Sequence, residues 1–208
     1  MRITVLALAL LAVLASSAQP LKQRGPSAGG TVSLGVRSSF SLFSSGNHGA
    51  PGTGAGGQAR VRISDRVNTD WFYDYFTGPA GSLAHREDQH IGWSVLFYMR
   101  KPTAGRQRLQ PYVLAGHCFD YSKQQSIAEP ENFAERWSSA VQAGLGTHLN
   151  VTDRADFSLV CQYMAHLGTD IHADEHDGEV HFHKEKSADL EGHLLIHMSF
   201  NYKIADLW

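Results

Sequence analysis

The stretch His193 to Ile204, HLLIHMSFNYKI, decides how the rest of the chain is read. Its even positions are Leu194, Ile196, Met198, Phe200, Tyr202 and Ile204, and its odd ones are His193, Leu195, His197, Ser199, Asn201 and Lys203. Side chains alternate across a strand with a period of two, so one face here is wholly apolar and the other almost wholly polar. The same alternation recurs about eight times along the chain, which makes the fold class all-β, an antiparallel up-and-down barrel of about eight strands.

Working back from this last strand, the alternation places Thr31 to Phe43 as strand one and, after a loop by composition at Ser44 to Gly57, Gln58 to Val67 as strand two. A turn at Asn68-Thr69-Asp70 leads into Trp71 to Thr77, and a loop at Gly78 to His90 leads into Ile91 to Arg100. Leu109 to Tyr121 (LQPYVLAGHCFDY) is strand five with an open register, because Tyr112, Leu114 and Cys118 compete with Val113, Ala115 and Phe119. Arg136 to Leu149 and Ala155 to Leu167 are strands six and seven, joined by the short turn Asn150 to Arg154. Gly168 to Asp189 is the fourth and longest loop. Connections thus alternate long and short, and strands of about 9 to 13 residues suit a tilted membrane crossing. Long loops are expected outside and short turns on the periplasmic side.

The ends and the composition set the location. Met1 to Ala18 carries Arg2, an apolar run and Ser16-Ser17-Ala18, the pattern of a cleaved signal peptide. Residues 19–30 read as a polar linker and 31–208 as the barrel domain. Lys and Arg number 18 against 20 acidic residues, so the near-neutral charge gives no reason to expect a nucleic-acid partner. Cys118 and Cys161 fall two strands apart, beyond disulfide reach, and are expected as free, buried thiols.

Alternation alone also fits a soluble lipocalin-like barrel whose apolar face turns inward. The polar set separates the two: it is mostly Ser, Gly, Gln, Asn and His, suited to a crowded interior, where a soluble outer face would carry many Lys and Glu. Trp71, Tyr73, Tyr75, Trp93, Trp137, Tyr163 and Tyr202 share the apolar face, as interfacial girdles require.

The segments RVRISDRVNTDWFYDYF (Arg60 to Phe76), LQPYVLAGHCFDYSK (Leu109 to Lys123) and VQAGLGTHLNVTDRADFSLVCQYM (Val141 to Met164) carry a resemblance. The chain resembles the small outer-membrane β-barrel family, similar to the OmpA transmembrane domain and OmpX. The resemblance implies a bacterial outer-membrane location and outer-membrane lipids as surroundings. It also implies a terminal aromatic residue, here Trp208, read by the barrel-assembly machinery.

An eight-stranded interior is just wide enough for side chains to fill. Arg37, Arg60, Arg62, Arg100, Asp74, Asp156, Gln162, His197 and Lys203 are expected to point into it and pair, giving a plugged core with no open pore. The fourth loop concentrates imidazole and carboxylate, and His172, His176, His181 and His183 are its candidate metal ligands. His181 and His183 share a side in an extended segment, whereas His172 and His176 would pair in a helix. Weak binding of a divalent metal such as zinc is the one cofactor expectation, and the same histidines could gain charge together on acidification. His166 and His193 flank this loop with inward parity, and no serine at a persuasive spacing completes a catalytic set. The reading is a monomeric, non-enzymatic outer-membrane protein of structural or surface-interaction type, its function carried by the outer loops. Metal capture by the fourth loop, a lipid-modifying barrel enzyme and a soluble lipocalin-like binder are the alternatives.

Overall fold

The computed structural model describes residues 29–43, 52–100, 108–176, 179–186 and 192–208. Its strands are β1 (Thr31–Phe43), β2 (Gly52–Arg62), β3 (Val67–Ala80), β4 (Ala84–Tyr98), β5 (Leu109–Ser126), β6 (Phe133–Asn150), β7 (Ala155–Leu167), β8 (Thr169–His176), β9 (Glu179–Lys186) and β10 (Gly192–Asp206). Eight of them close into one barrel in the order β1-β10-β7-β6-β5-β4-β3-β2, and β8 and β9 form a separate hairpin. Every pairing is antiparallel, and the barrel closes where β1 meets β10, from Thr31 opposite Asp206 to Phe43 opposite His193. Closure leaves the barrel without an exposed edge. The predicted signal peptide and residues 19–28 of the linker lie outside the described residues.

The alternation in the chain translates directly into two surfaces. Trp137, Val36 and Met198 are 71%, 66% and 63% exposed on the outside, while Asp120 and Asn201 are fully buried on the inside. Outward aromatics meet across the ladder: Trp71 with Trp93, Tyr121 with Trp137, and Phe157 with Phe200, at centroid separations of 6.4, 5.0 and 5.1 Å. Such an outer belt of apolar and aromatic side chains around a polar interior inverts a water-soluble protein.

Strand β7 falls where the alternation predicts it, but several boundaries move. The predicted turn at 68–70 is strand: the chain turns at 63–66, where the Val67 amide donates to Ser64 Oγ at 3.2 Å. Asn68 instead points inward and donates to Tyr98 Oη at 2.9 Å. The predicted loop 78–90 is mostly the facing ends of β3 and β4, which turn at Gly81 with φ 74°. Gly52 to Gly57, a loop by composition, is the start of β2, where an added Cβ at Gly54 would come 2.7 Å from the Phe76 ring. Glycine lines the strand there because an aromatic occupies the space in front of it.

The open register of β5 resolves with Val113, Ala115 and Phe119 outward, and with Tyr112, Leu114 and Cys118 buried. The sequence left it open because the inner face carries two apolar patches of its own. One gathers Phe72, Phe76, Cys118, Ala140, Met164 and Leu195; the other Leu96, Tyr98, Tyr112 and Leu114. Leu195, apolar among polar neighbours in its strand, belongs to the first. Both cysteines are free, as predicted, but Cys161 is exposed on the outer face, a correction to the expectation of two buried thiols. β10 ends at Asp206, which leaves Trp208 exposed beyond the strand.

Candidate functional site

The polar residues of the lumen assemble into layers. Near the short turns, Arg60 Nη2 lies 2.7 and 2.9 Å from the two carboxylate oxygens of Asp156. Beside this pair, His148 Nδ1 sits 2.6 Å from Ser158 Oγ and its Nε2 3.0 Å from Tyr98 Oη. Asn201 Nδ2 donates to Asp156 at 3.1 Å, closing the layer from β10. One level up, Arg37 Nε is 3.0 Å from Asp74 and its guanidinium stacks on the Phe72 ring at 4.6 Å. Gln58 Nε2 donates to Asn201 Oδ1 and Ser199 Oγ, Ser39 Oγ and His197 Nδ1 are 2.6 Å apart, and Gln162 donates to Gln142, which donates to Ser94. Between these layers a cavity of ≈ 20 Å³, lined by Arg37, Arg60, Tyr112, His148 and His197 among others, has room for about one water.

The third layer lies towards the long loops and was not foreseen. Asp120 sits between His90 Nε2 at 3.1 Å, His166 Nδ1 at 3.0 Å and Arg136 Nη2 at 3.7 Å. His166 Nε2 is 3.3 Å from His193 Nε2, which is 3.4 Å from Met164 Sδ. Asp88 binds Arg86 Nε at 2.8 Å and accepts a hydrogen bond from Ser122 Oγ. His90 and Asp88 fall in the segment read as a loop, Ser122 lies just past the predicted end of strand five, and Asp120 lies where the register was open. Extending the Ile91, Trp93, Val95 alternation backwards would have found His90.

Of the predicted interior set, Arg37, Arg60, Asp74, Asp156, Gln162 and His197 are buried in the lumen. Arg62 lies at its end, 4.5 Å over the Tyr98 ring and donating to Asp65 O. Two predictions are corrected, one because its strand ends before it and the other because it sits beside the irregular Val32–Ser33 step of the β1–β10 ladder, within reach of the turn before β7. Arg100 is exposed beyond β4, and Lys203, near the end of β10, reaches out to donate to Asp153 O at 3.0 Å.

The predicted fourth loop contains the hairpin β8–β9. One face of it is apolar: Ile171, Ala173, Val180 and Phe182 share a side, and Val180, Ala173 and Phe182 pack on Ala80, Leu83 and Ala84 at the β3–β4 turn. Gln124 Nε2 donates to Ile171 O at 3.0 Å and Asn132 Nδ2 to Val180 O at 2.8 Å, so the rim holds the hairpin by its backbone. The opposite face carries all four candidate ligands. His172 stands opposite His183, His181 opposite Asp174, and His176 opposite Glu179. A strand, and not a helix, therefore aligns His172 and His176. His183 Nε2 lies 2.7 Å from Asp174 Oδ2, with both side chains exposed. Among the described residues no three His, Cys, Asp or Glu side chains are arranged to hold a metal ion between them. His166 and His193, the flanking pair, meet inside the lumen and not at the membrane-facing rim.

With this geometry in place, comparison with known proteins gives a consistent answer. The family described as "Outer membrane protein beta-barrel domain" matches residues 6–184. Neisserial surface protein A superposes with a TM-score of 0.59 at 14% identity, covering 86% of this chain and 99% of that one. OprG of Pseudomonas aeruginosa gives 0.56 at 15% identity, covering 85% and 97%. A major outer membrane protein of Thermus thermophilus gives 0.54 at 10% identity, covering 83% and 99%. No curated protein matches the sequence significantly. At these identities the solved structures speak to the fold alone.

Proposed function

Since the chain belongs to the outer membrane protein β-barrel domain family, and so to the bacterial outer membrane, we propose that it is a plugged barrel that acts through its outer surface. A signal peptide over residues 1–18 would deliver it and be cleaved. The assembly machinery would read Trp208, and lipid would cover the apolar belt. The observation that carries this reading is the stack of paired charges across the lumen, with the β8–β9 hairpin held against the rim above. Charges removed from water persist only when paired and hydrogen-bonded, and a conducting path would have to break them. The single-chain closure supports a monomer. Surface interaction then falls to the outward elements, the hairpin foremost.

The test is solute flux. Liposomes carrying the refolded protein are expected not to swell in a small sugar, and planar bilayers in potassium chloride to show no regular current steps. Reproducible steps of one size would overturn the plugged reading.

A second reading, metal capture, is favoured by the placement of His172, His176, His181 and His183 with Asp174 and Glu179 on one exposed hairpin face. Imidazole and carboxylate there can exchange partners for a divalent ion such as zinc without unfolding anything. Calorimetric titration with zinc should show micromolar or weaker binding that disappears when the four histidines become Ala. Heat unchanged in that variant would remove the reading.

A further inference from the structure

The third lumen layer holds a set of donors that neither the plug nor the hairpin reading uses. His193 on β10 is directly opposite Met164 on β7, and His166 is two residues along β7, hence on the same inner face. The geometry points to a buried site for a soft monovalent metal, cuprous copper, held by His166 Nε2, His193 Nε2 and Met164 Sδ.

Spacing is the first reason. Two imidazole nitrogens bound at about 2.0 Å to one ion in a trigonal or tetrahedral arrangement lie roughly 3.3–3.5 Å apart, and a nitrogen and a sulfur bound at about 2.3 Å roughly 3.5–3.7 Å. The two nitrogens here are 3.3 Å apart, and the second is 3.4 Å from the thioether. An ion can enter between them once the flexible thioether draws back by a few tenths of an ångström.

Orientation is the second. His166 presents Nδ1 to Asp120 at 3.0 Å, which directs its other nitrogen towards His193. A carboxylate behind a histidine is the usual support of a metal-binding imidazole, fixing its tautomer and strengthening its donor. His90, at 3.1 Å on the other oxygen of Asp120, holds that carboxylate in place.

Donor type and charge select the metal. A thioether is a poor ligand for zinc, calcium or magnesium and a good one for cuprous copper. Its neighbour is another soft atom, Cys118 Sγ, 3.7 Å from Met164 Sδ. The charges around the three donors are Asp120 and Asp88 against Arg136 and Arg86, so they nearly cancel. A single positive charge costs less there than two. Met164 and His193 are 0% and 1% exposed, and a metal between them would be shielded from water.

The experiment uses the full-length barrel, refolded in detergent, with His172, His176, His181 and His183 changed to Ala so that the hairpin cannot contribute. Cuprous copper is kept reduced with ascorbate under nitrogen and offered in competition with bicinchoninate. The barrel should withhold one copper ion, and X-ray absorption should show two nitrogens at about 2.0 Å and one sulfur at about 2.3 Å. Met164→Leu, close in volume and apolar, should weaken binding at least tenfold and remove the sulfur signal. Asp120→Asn should weaken it about tenfold or more while keeping the sulfur. Each variant is first checked for a gel shift on boiling, and His193→Gln adds a further test where it folds. Failure of the hairpin-free barrel to withhold copper overturns the proposal. So does copper held with an unchanged spectrum by Met164→Leu.

Discussion

Replacing Asp156 with Ala would strand Arg60 in the lumen. Both residues are 3% exposed, and the two Arg60–Asp156 contacts at 2.7 and 2.9 Å are the close charge pairing of that layer. Removing one member of a buried ion pair costs about 3–5 kcal/mol, and Asp70, directly opposite Arg60 on β3 and 3.7 Å from Arg37, keeps the loss at the lower end. The neutral members of the layer add little, because each keeps another partner. Asn201 Nδ2 retains Ser158 Oγ at 3.3 Å and Ser199 Oγ at 3.1 Å, and Ser158 retains His148 at 2.6 Å. The folding equilibrium should therefore fall by a factor of about 10² or more, since about 1.4 kcal/mol is tenfold. The double change Arg60→Met with Asp156→Leu, which removes both charges, should cost less than half as much. The assay is reversible urea unfolding in short-chain phosphatidylcholine vesicles, followed by tryptophan fluorescence and by the gel shift on boiling. An Asp156→Ala barrel within about 1 kcal/mol of the parent would mean that water already reaches Arg60, and the closed lumen would fall with it.

Three further outcomes are expected. Leu145→Arg, opposite Cys161 at the middle of β7 and 60% exposed to the outside, should cost about 2–4 kcal/mol of folding free energy in vesicles, and a neutral result would contradict the lipid-facing assignment. Gly30 has φ 90°, and an added Cβ would meet the Trp208 carbonyl at 2.8 Å, so Gly30→Ala should destabilise by about 1–3 kcal/mol and loosen the C-terminus, as urea unfolding and proteolysis of that end would report. A nitroxide on Cys161 in a Cys118→Ala background should be relaxed by lipid-soluble oxygen far more than by a water-soluble nickel complex, and the reverse order would place this residue in water or in the lumen.

The architecture was legible because a barrel wall has only two environments, and the period-two pattern of β10 and β7 names them residue by residue. It failed where chemistry and conformation part company. The Gly-rich opening of β2 reads as a loop because glycine is common in loops, and only the Phe76 ring across the ladder explains its presence in a strand. Asn68 and Asp70 read as a turn because such residues favour turns, yet both lie in β3, and Asn68 was spent on a buried hydrogen bond to Tyr98. The interior charges of the lower layers followed from parity. The His90–Asp120–His166–His193 layer followed only by half: His166 and His193 had inward parity, but His90 fell beyond a predicted strand end and Asp120 in an open register, so the layer appears only once β4, β5, β7 and β10 are aligned. For the hairpin, the sequence supplied the histidines and their number; the cross-strand pairing that puts all four on one face was invisible to it.

The strands are unequal in height, and this has a bearing on what meets the molecule from outside. β5 and β6 have 18 residues each, against 13 in β1 and β7. At about 3.3 Å per residue and a tilt near 40°, the longer strands rise roughly 45 Å and the shorter about 33 Å, over an apolar belt of about 25 Å. The wall is thus a lopsided collar, its high side built from β5 and β6. That high side is also the one that grips the β8–β9 hairpin, through Gln124 and Asn132, so collar and hairpin form a single raised feature on one flank of the barrel.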